Sequence, residues 1–271
     1  MTKRTHLVVG AGKMGGALLE GWIASKTVKP AQLIILDPTP GEAAQRAIED
    51  GALHLTKADK SINTIKYLLL AIKPQMFKIL APAIAKDLSV DAVVISILAG
   101  TSLAVLQDTF KTQSIIRAMP NTPAAIGKGI TAYTKGENVS EAQAKETKAL
   151  LSSGGAVHYV ETENLIDVVT AVSGSGPAYV FHMVEALEAA AVKIGLPEEL
   201  APHFARQTII GAAGLLEESD LSAMELRKNV TSPNGTTQAA LDVLMGYEGL
   251  PTLMRETVKA ALKRAKELAE T

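Results

Sequence analysis

The 271-residue chain contains no cysteine, so disulfides, thiolate zinc sites, thiol nucleophiles and CxxC redox chemistry are excluded, and a cytoplasmic location is the simplest expectation. Neither sign of charge is in excess: 27 Lys+Arg stand against 28 Asp+Glu, a formal net charge of −1. With no basic footprint, neither nucleic acid nor an anionic membrane surface is an expected partner. No apolar run reaches the ~18 uninterrupted residues of a membrane span. The opening MTKRTHLVVGAG turns to glycine after three apolar residues, too few for a signal-peptide core. Internal repeats and low-complexity tracts are absent.

What is present is globular material, 47% apolar and 20% charged, enough for one large domain or two smaller ones. Five apolar runs, His6–Gly10, Leu33–Asp37, Tyr67–Ile72, Ala92–Ile97 and Ser114–Met119, read as strands buried on both faces, as a helix-covered parallel sheet requires. Helical patterns separate them at Met14–Ser25, Gly41–Asp50, Pro74–Asp87 and Leu103–Phe110. Ile130–Thr134 and Ala156–Val160 flank a further helix, capped by Ser140 and ended by Gly154–Gly155. The alternation predicts an α/β fold with a Rossmann-type sheet over residues 1–160. Beyond Val160 the strand-like runs stop, and residues 161–271 are expected to form an all-helical domain. In Pro177–Ile194 the polar residues His182, Glu185, Glu188 and Lys193 share roughly 140° of helical arc, which predicts burial on most sides. Ile209–Leu216 is apolar all round, and Gly211 and Gly214 permit close helix approach. Two such helices exceed what ~110 residues can hide, so a subunit interface is expected here.

The sharpest local pattern is Gly10-Ala11-Gly12-Lys13-Met14-Gly15. It follows a strand, opens a helix and is answered by Asp37, 22 residues past Gly15 at the end of the next strand. That context separates a dinucleotide site from a merely structural glycine turn. Gly10 and Gly12 let the backbone approach a pyrophosphate, Lys13 and Met14 open the helix whose amino end faces it, and Gly15 lets that helix lie on the sheet. Asp37 is placed to accept ribose hydroxyls, which leans toward NADH. Ala71, Lys73 and Pro74 end one strand and Ala99 follows another, at the edge where the crevice of such a sheet opens, although Lys73 also reads as a solvated lysine. Asn121, in Met119–Pro123, is a polar group placed to meet a nicotinamide or a substrate, although the segment by itself reads more readily as a plain loop. Ser173-Gly-Ser-Gly-Pro177 reads either as an anion nest or as a tight turn into a helix. In Val230–Asp242, Pro233-Asn234-Gly235 makes a turn, Thr236 and Thr237 fall on the first helical turn, and Ser232 folds back nearby. Three hydroxyls at a positive helix end suit a small carboxylate, whereas simple capping by one threonine accounts for only one of them.

Taken together, GAGKMG at 10–15, AIKPQ at 71–75, MPNTP at 119–123, SGSGPAY at 173–179 and NVTSPNGTTQAAL at 229–241 resemble the Δ1-pyrroline-5-carboxylate reductase family in order and spacing. The resemblance implies NAD(P)H-dependent reduction of L-1-pyrroline-5-carboxylate to L-proline, the last step of proline biosynthesis, by a homodimer or a ring of dimers. It places the substrate carboxylate on Ser232, Thr236 and Thr237, with Thr237 also beside the ring nitrogen, and adds Thr170 on the substrate side. Asp37-Pro38-Thr39 departs from relatives that carry serine, asparagine or arginine around this point, while the resemblance still allows NADPH. No metal is implied. A protonated C=N needs no strong acid, which suits a site of hydroxyls. A 3-hydroxyacid-dehydrogenase-like reductase would need a lysine on the helix after the SGSG turn, yet Tyr179–Glu188 offers only Tyr179 and His182, and lysine waits until Lys193. A nucleotide-sensing dimer without catalysis is the third reading, opposed by the carboxylate-binding helix end.

Overall fold

The structure, a computed structural model, describes residues 3–111 and 114–269. Its described residues divide into two compact units, one taking in the chain up to Ser175 and again from Ala261 onward, the other Gly176–Ala260.

The first unit is built on one eight-stranded sheet: β1 (His6–Val9), β2 (Leu33–Leu36), β3 (Leu53–Leu55), β4 (Tyr67–Leu70), β5 (Val93–Ser96), β6 (Ser114–Met119), β7 (Gly129–Lys135) and β8 (Gly155–Tyr159). Their order is β3-β2-β1-β4-β5-β6-β7-β8, parallel throughout except where β7 runs against β6. β2, β4, β5 and β6 are buried along their whole length, because their side chains are apolar on both faces and helices cover both. On one face pack α1 (Lys13–Ala24), α2 (Glu42–Glu49) and α5 (Glu141–Leu151), with Leu18, Leu19, Trp22, Ala44, Ala47 and Leu151 in the core. The Trp22 indole donates to the Leu150 carbonyl at 2.8 Å, so its one polar group is satisfied inside the core. On the other face lie α3 (Phe77–Asp87) and α4 (Leu103–Phe110), contributing Phe77, Ala81, Ile84, Leu106 and Phe110.

The strands and helices expected over residues 1–160 are all present, with ends moved by up to three residues. β1 stops at Val9 because Gly10 turns to φ +85°. The helix expected from Pro74 opens as a 3₁₀ turn, Pro74–Met76, before α3 begins. β3, a three-residue edge strand, is too short for its sequence to show a period. Ser140 caps α5 as anticipated, accepting from the Gln143 amide.

After β8, α6 (Asn164–Val169) and a π-helical turn at Thr170–Gly174 still belong to the first unit. The second unit holds α7 (Gly176–Lys193), α8 (Ala201–Glu218), α9 (Ala223–Asn229), α10 (Thr236–Leu244) and the start of α11 (Leu250–Ala269). α11 returns to the first unit in its last turns, where a Cβ on Gly100 (φ +70°) would lie 2.7 Å from the Leu268 carbonyl oxygen.

The burial expected for α7 is incomplete within the single chain, in keeping with the subunit interface expected here. α7 and α8 pack against each other, but α7 has no fully buried residue, and Phe181 remains 62% exposed. On α8, Ile210, Leu215 and Leu216 are more than half exposed. The apolar arc is there, but one chain supplies too little surface to cover it.

At the amino end of β1, His6 stacks on Tyr67 with ring centroids 5.5 Å apart, and the Tyr67 hydroxyl donates to the Glu146 carboxylate. Burial holds the His6 imidazole down at about 4, opposed by Glu146 and reinforced by Lys66. Its folded value therefore lies below its unfolded value of 6.5, and between these limits the unfolded chain binds the extra proton. The stability that neutral His6 permits is present above about pH 6.5 and is lost as the pH falls toward about 4, on the order of 3 kcal/mol in all. Urea titrations over this range should show His6→Phe with a distinctly flatter pH dependence than wild type; parallel curves would contradict this.

Candidate active site

The order of the sheet reverses between β1 and β4, where a crevice opens beyond the strand ends. The loops after these strands touch: Ala71 N–H donates to the Val9 carbonyl at 2.8 Å, and a Cβ on Gly10 would sit 2.7 Å from the Ala71 oxygen. A Cβ on Gly15 would run into the Gly10 carbonyl and come within 3.0 Å of the Ala71 Cβ. A Cβ on Gly12 would meet nothing within 4 Å. Gly12 is also the N-cap of α1 and brings no side chain to the free amides of the first turn, which includes Lys13 and Met14. Bare backbone, open space and a helix dipole make a cradle for phosphate, so these residues fit a dinucleotide.

Asp37, just past β2, is more constrained than its sequence position indicates. Its Oδ2 accepts from the Ala11 amide at 2.7 Å and its Oδ1 from the Thr39 amide at 2.8 Å. Its own carbonyl accepts from His54 Nε2 at 2.8 Å. The carboxylate therefore clamps the glycine turn and keeps its remaining lone pairs for an incoming hydroxyl. Lys73 is exposed and leads into Pro74. Ala99 lines a cleft of about 420 Å³ with Pro74, Gln75, Gly100, Thr101 and Leu268.

Asn121 is 8% exposed and spends its amide on backbone: Nδ2 donates to the Ser173 carbonyl at 3.1 Å, and Oδ1 accepts from the Ile130 amide at 2.9 Å. At most one of its N–H bonds is left for any other partner. The SGSG stretch is neither an open nest nor a plain turn, because Thr170–Gly174 is a π turn closed by Ser175 N–H donating to the Thr170 carbonyl at 2.9 Å. Thr170 Oγ1 donates to the Ile166 carbonyl at 2.7 Å, leaving its lone pairs free.

In the second unit, Asn234 takes a left-handed conformation (φ +58°) and Gly235 N–H donates to the Ser232 carbonyl at 3.1 Å. This turn delivers Gly235 as the N-cap of α10, with Thr236 and Thr237 in its first turn and the Ser232 side chain folded over Gly235. The cap is a glycine with no side-chain bond, so simple threonine capping is excluded. The three hydroxyls have no hydrogen-bond partner among the described residues. His182, the alternative acid, is an exposed helix-face residue 2.9 Å from Glu185.

One buried ionic group went unnoticed in the sequence. Arg117 on β6 is 1% exposed and bridges Glu163 and Asp167, each at 2.8 Å. The signal was an arginine inside the otherwise apolar SIIRAM, which cannot be buried without partners. Among the described residues no helix is long and apolar enough to cross a membrane, and no His/Cys/Asp/Glu group is arranged to hold a metal.

Residues 163–268 match the family described as pyrroline-5-carboxylate reductase dimerisation, and residues 7–100 match that described as NADP oxidoreductase coenzyme F420-dependent. A Synechocystis protein named pyrroline-5-carboxylate reductase is 40% identical over 268 residues, covering 97% of each chain. Its Pseudomonas aeruginosa counterpart is 36% identical over 263 residues, covering 97% of this chain and 96% of the other. Among solved structures, a pyrroline-5-carboxylate reductase from Coxiella burnetii superposes with a TM-score of 0.89 at 31% identity over 100% of both chains. A pyrroline carboxylate reductase from Plasmodium falciparum, solved with NADP bound, gives 0.84 at 27% identity over 99% of both chains.

Proposed function

The chain belongs to the pyrroline-5-carboxylate reductase family, and from that premise we infer which of its residues carry the reaction. It is an NAD(P)H-dependent oxidoreductase that reduces L-1-pyrroline-5-carboxylate to L-proline, the last step of proline biosynthesis. The observation that carries the site reading is the open amino end of α10, where three hydroxyls without protein partners among the described residues lie at the first turn of a glycine-capped helix. Ser232 and Thr236 hold the carboxylate there, favoured by the helix dipole, and Thr237 accepts from the protonated ring nitrogen while sharing the carboxylate. Thr170 completes the substrate side. The imine is already protonated, so its carbon is electrophilic without a general acid, and the protein's task is to orient that carbon and exclude water. Proximity of this kind supplies ~7–11 kcal/mol of barrier reduction.

Residues 1–160 form the dinucleotide-binding part in this reading and 161–271 the substrate-binding and dimerising part. When bound on Gly10, Gly12, Lys13, Met14 and Gly15, the reduced nicotinamide supplies the hydride. Ala71, Lys73, Pro74 and Ala99 line its crevice, and Asn121 acts there by holding Ser173. The basic test is oxidation of NADH or NADPH by the purified protein with pyrroline-5-carboxylate, beside 2-keto and 3-keto acids; turnover of a keto acid alone would refute the assignment.

Asp37 favours NADH, since a carboxylate accepts ribose hydroxyls but repels a 2′-phosphate, and neither Pro38 nor Thr39 brings a cation. Asp37→Ser should shift the ratio of kcat/KM toward NADPH. An unchanged ratio would leave Asp37 only its clamp on Ala11.

The enzyme is a homo-oligomer with a dimerisation domain. The exposed apolar faces of α7 and α8 support a dimer, alone or within a ring of dimers, joined through this half. A folded, active monomer in sedimentation at micromolar concentration would contradict that. The cysteine-free composition and the biosynthetic reaction support a cytoplasmic location, with a small carboxylate substrate and neither nucleic acid nor membrane as partner.

A further inference from the structure

We propose that Arg117 is a positioning residue for the substrate side of this reaction: through Glu163 and Asp167 it fixes the helix that presents Thr170 and ties that helix to the loop after β5. The inference rests on the site reading given above.

Arg117 Nη1 lies 2.8 Å from Glu163 Oε1, and Nη2 lies 2.8 Å from Asp167 Oδ1. Glu163 is the N-cap residue of α6 and Asp167 stands four residues on, so the two carboxylates occupy one face a single turn apart. A guanidinium spanning both sets the rotation of α6 about its axis as well as its height above β6. Thr170 follows three residues after Asp167, directly at the π turn. One residue of slippage would swing its hydroxyl by about 100°.

The same Glu163 Oε1 also accepts from the Leu103 amide at 2.7 Å, at the start of α4. That amide follows Ala99–Gly100 in the segment beyond β5, on the cofactor side. One carboxylate oxygen therefore joins the cofactor-side loop to the substrate-side helix. Asn121 adds a second tie, from the end of β6 to Ser173 in the π turn.

Buried ion groups are often replaceable by apolar side chains of similar volume without loss, so on this proposal the value of this one lies in the directed geometry of the fork. Arg117 Nε has no hydrogen-bond partner among the described residues, which leaves its two terminal nitrogens to define the contact.

The test compares Arg117→Met, Arg117→Lys and the neutral triple variant Arg117→Met/Glu163→Gln/Asp167→Asn, which leaves no unpaired charge to disturb folding. Arg117→Met should lower kcat/KM for the imine ten- to a hundredfold, chiefly through KM, with the Kd for NADH from nicotinamide fluorescence within twofold of wild type. Arg117→Lys should recover a small part. The triple variant should regain melting temperature but not kcat/KM. Recovery of kcat/KM together with melting temperature, or a parallel rise in the NADH Kd, would overturn the proposal. Thr237→Ala in the same assay keeps the two ideas apart. If Thr237→Ala is silent while Arg117→Met is deficient, the site reading is at fault; the reverse pattern faults the positioning role.

Discussion

Replacing Thr237 with alanine is expected to lower kcat/KM for pyrroline-5-carboxylate by roughly ten- to a hundredfold, and to lower kcat as well as raise KM. A hydroxyl that bonds a charged group is worth ~1.5–3 kcal/mol. Among the described residues Thr237 Oγ1 has no protein partner to release, so its full interaction with the substrate is available. The fold should be unaffected, because α10 is capped by Gly235 and not by a threonine side chain. NADH affinity should also survive, since the glycine turn lies in the other unit. Steady-state kinetics at saturating cofactor decide the matter: wild-type parameters would remove Thr237 from the site, and loss of NADH affinity alone would move its role to the nicotinamide.

The second large effect is a contrast between two glycines three residues apart. Gly12→Ala adds a methyl where nothing stands within 4 Å, so melting temperature should stay at the wild-type value. The same methyl intrudes on the space left for phosphate, and the KM for NADH should rise at least tenfold, about 1.4 kcal/mol or more. Gly15→Ala drives its methyl into the Gly10 carbonyl, a backbone atom that cannot swing aside. Its first consequence should be lost stability, ~1–3 kcal/mol, with cofactor binding weakened because the turn itself has moved. Equal melting temperatures for the two variants would show that Gly15 is not packed as described.

The sheet was legible because its strands are short, apolar on both faces and punctuated by glycine and proline. SIIRAM, for example, became a strand with the bounds its sequence indicates. The helix ends at Gly12 and Gly235 were legible from the same punctuation. β3 was not, because three half-buried residues carry no period. Asp37 was placed on the ribose from its spacing, but its bond to Ala11 depends on a contact across 26 residues that no local pattern encodes. The Arg117 pair spans still greater separations. The periodicity of α7 shows only that a face is apolar, and it is the small size of the helical half that points to a covering surface from another subunit.

The close approach of Leu268 to Gly100 bears on how the protein is made. Chain order and spatial order disagree here: the helical unit is inserted within the first unit, whose piece from Ala261 onward follows it in the sequence. Domains generally fold as units during synthesis, amino-terminal parts first, and contacts between distant residues form slowly because the intervening loop must close. The sheet has all its strands well before Leu268 is made, yet the loop at Gly100 stays uncovered by it until then. A nascent chain arrested after Ala260 should therefore protect β1 and β4 from proteolysis while leaving the Gly100 loop open to it, and extension well past Leu268 should close that loop.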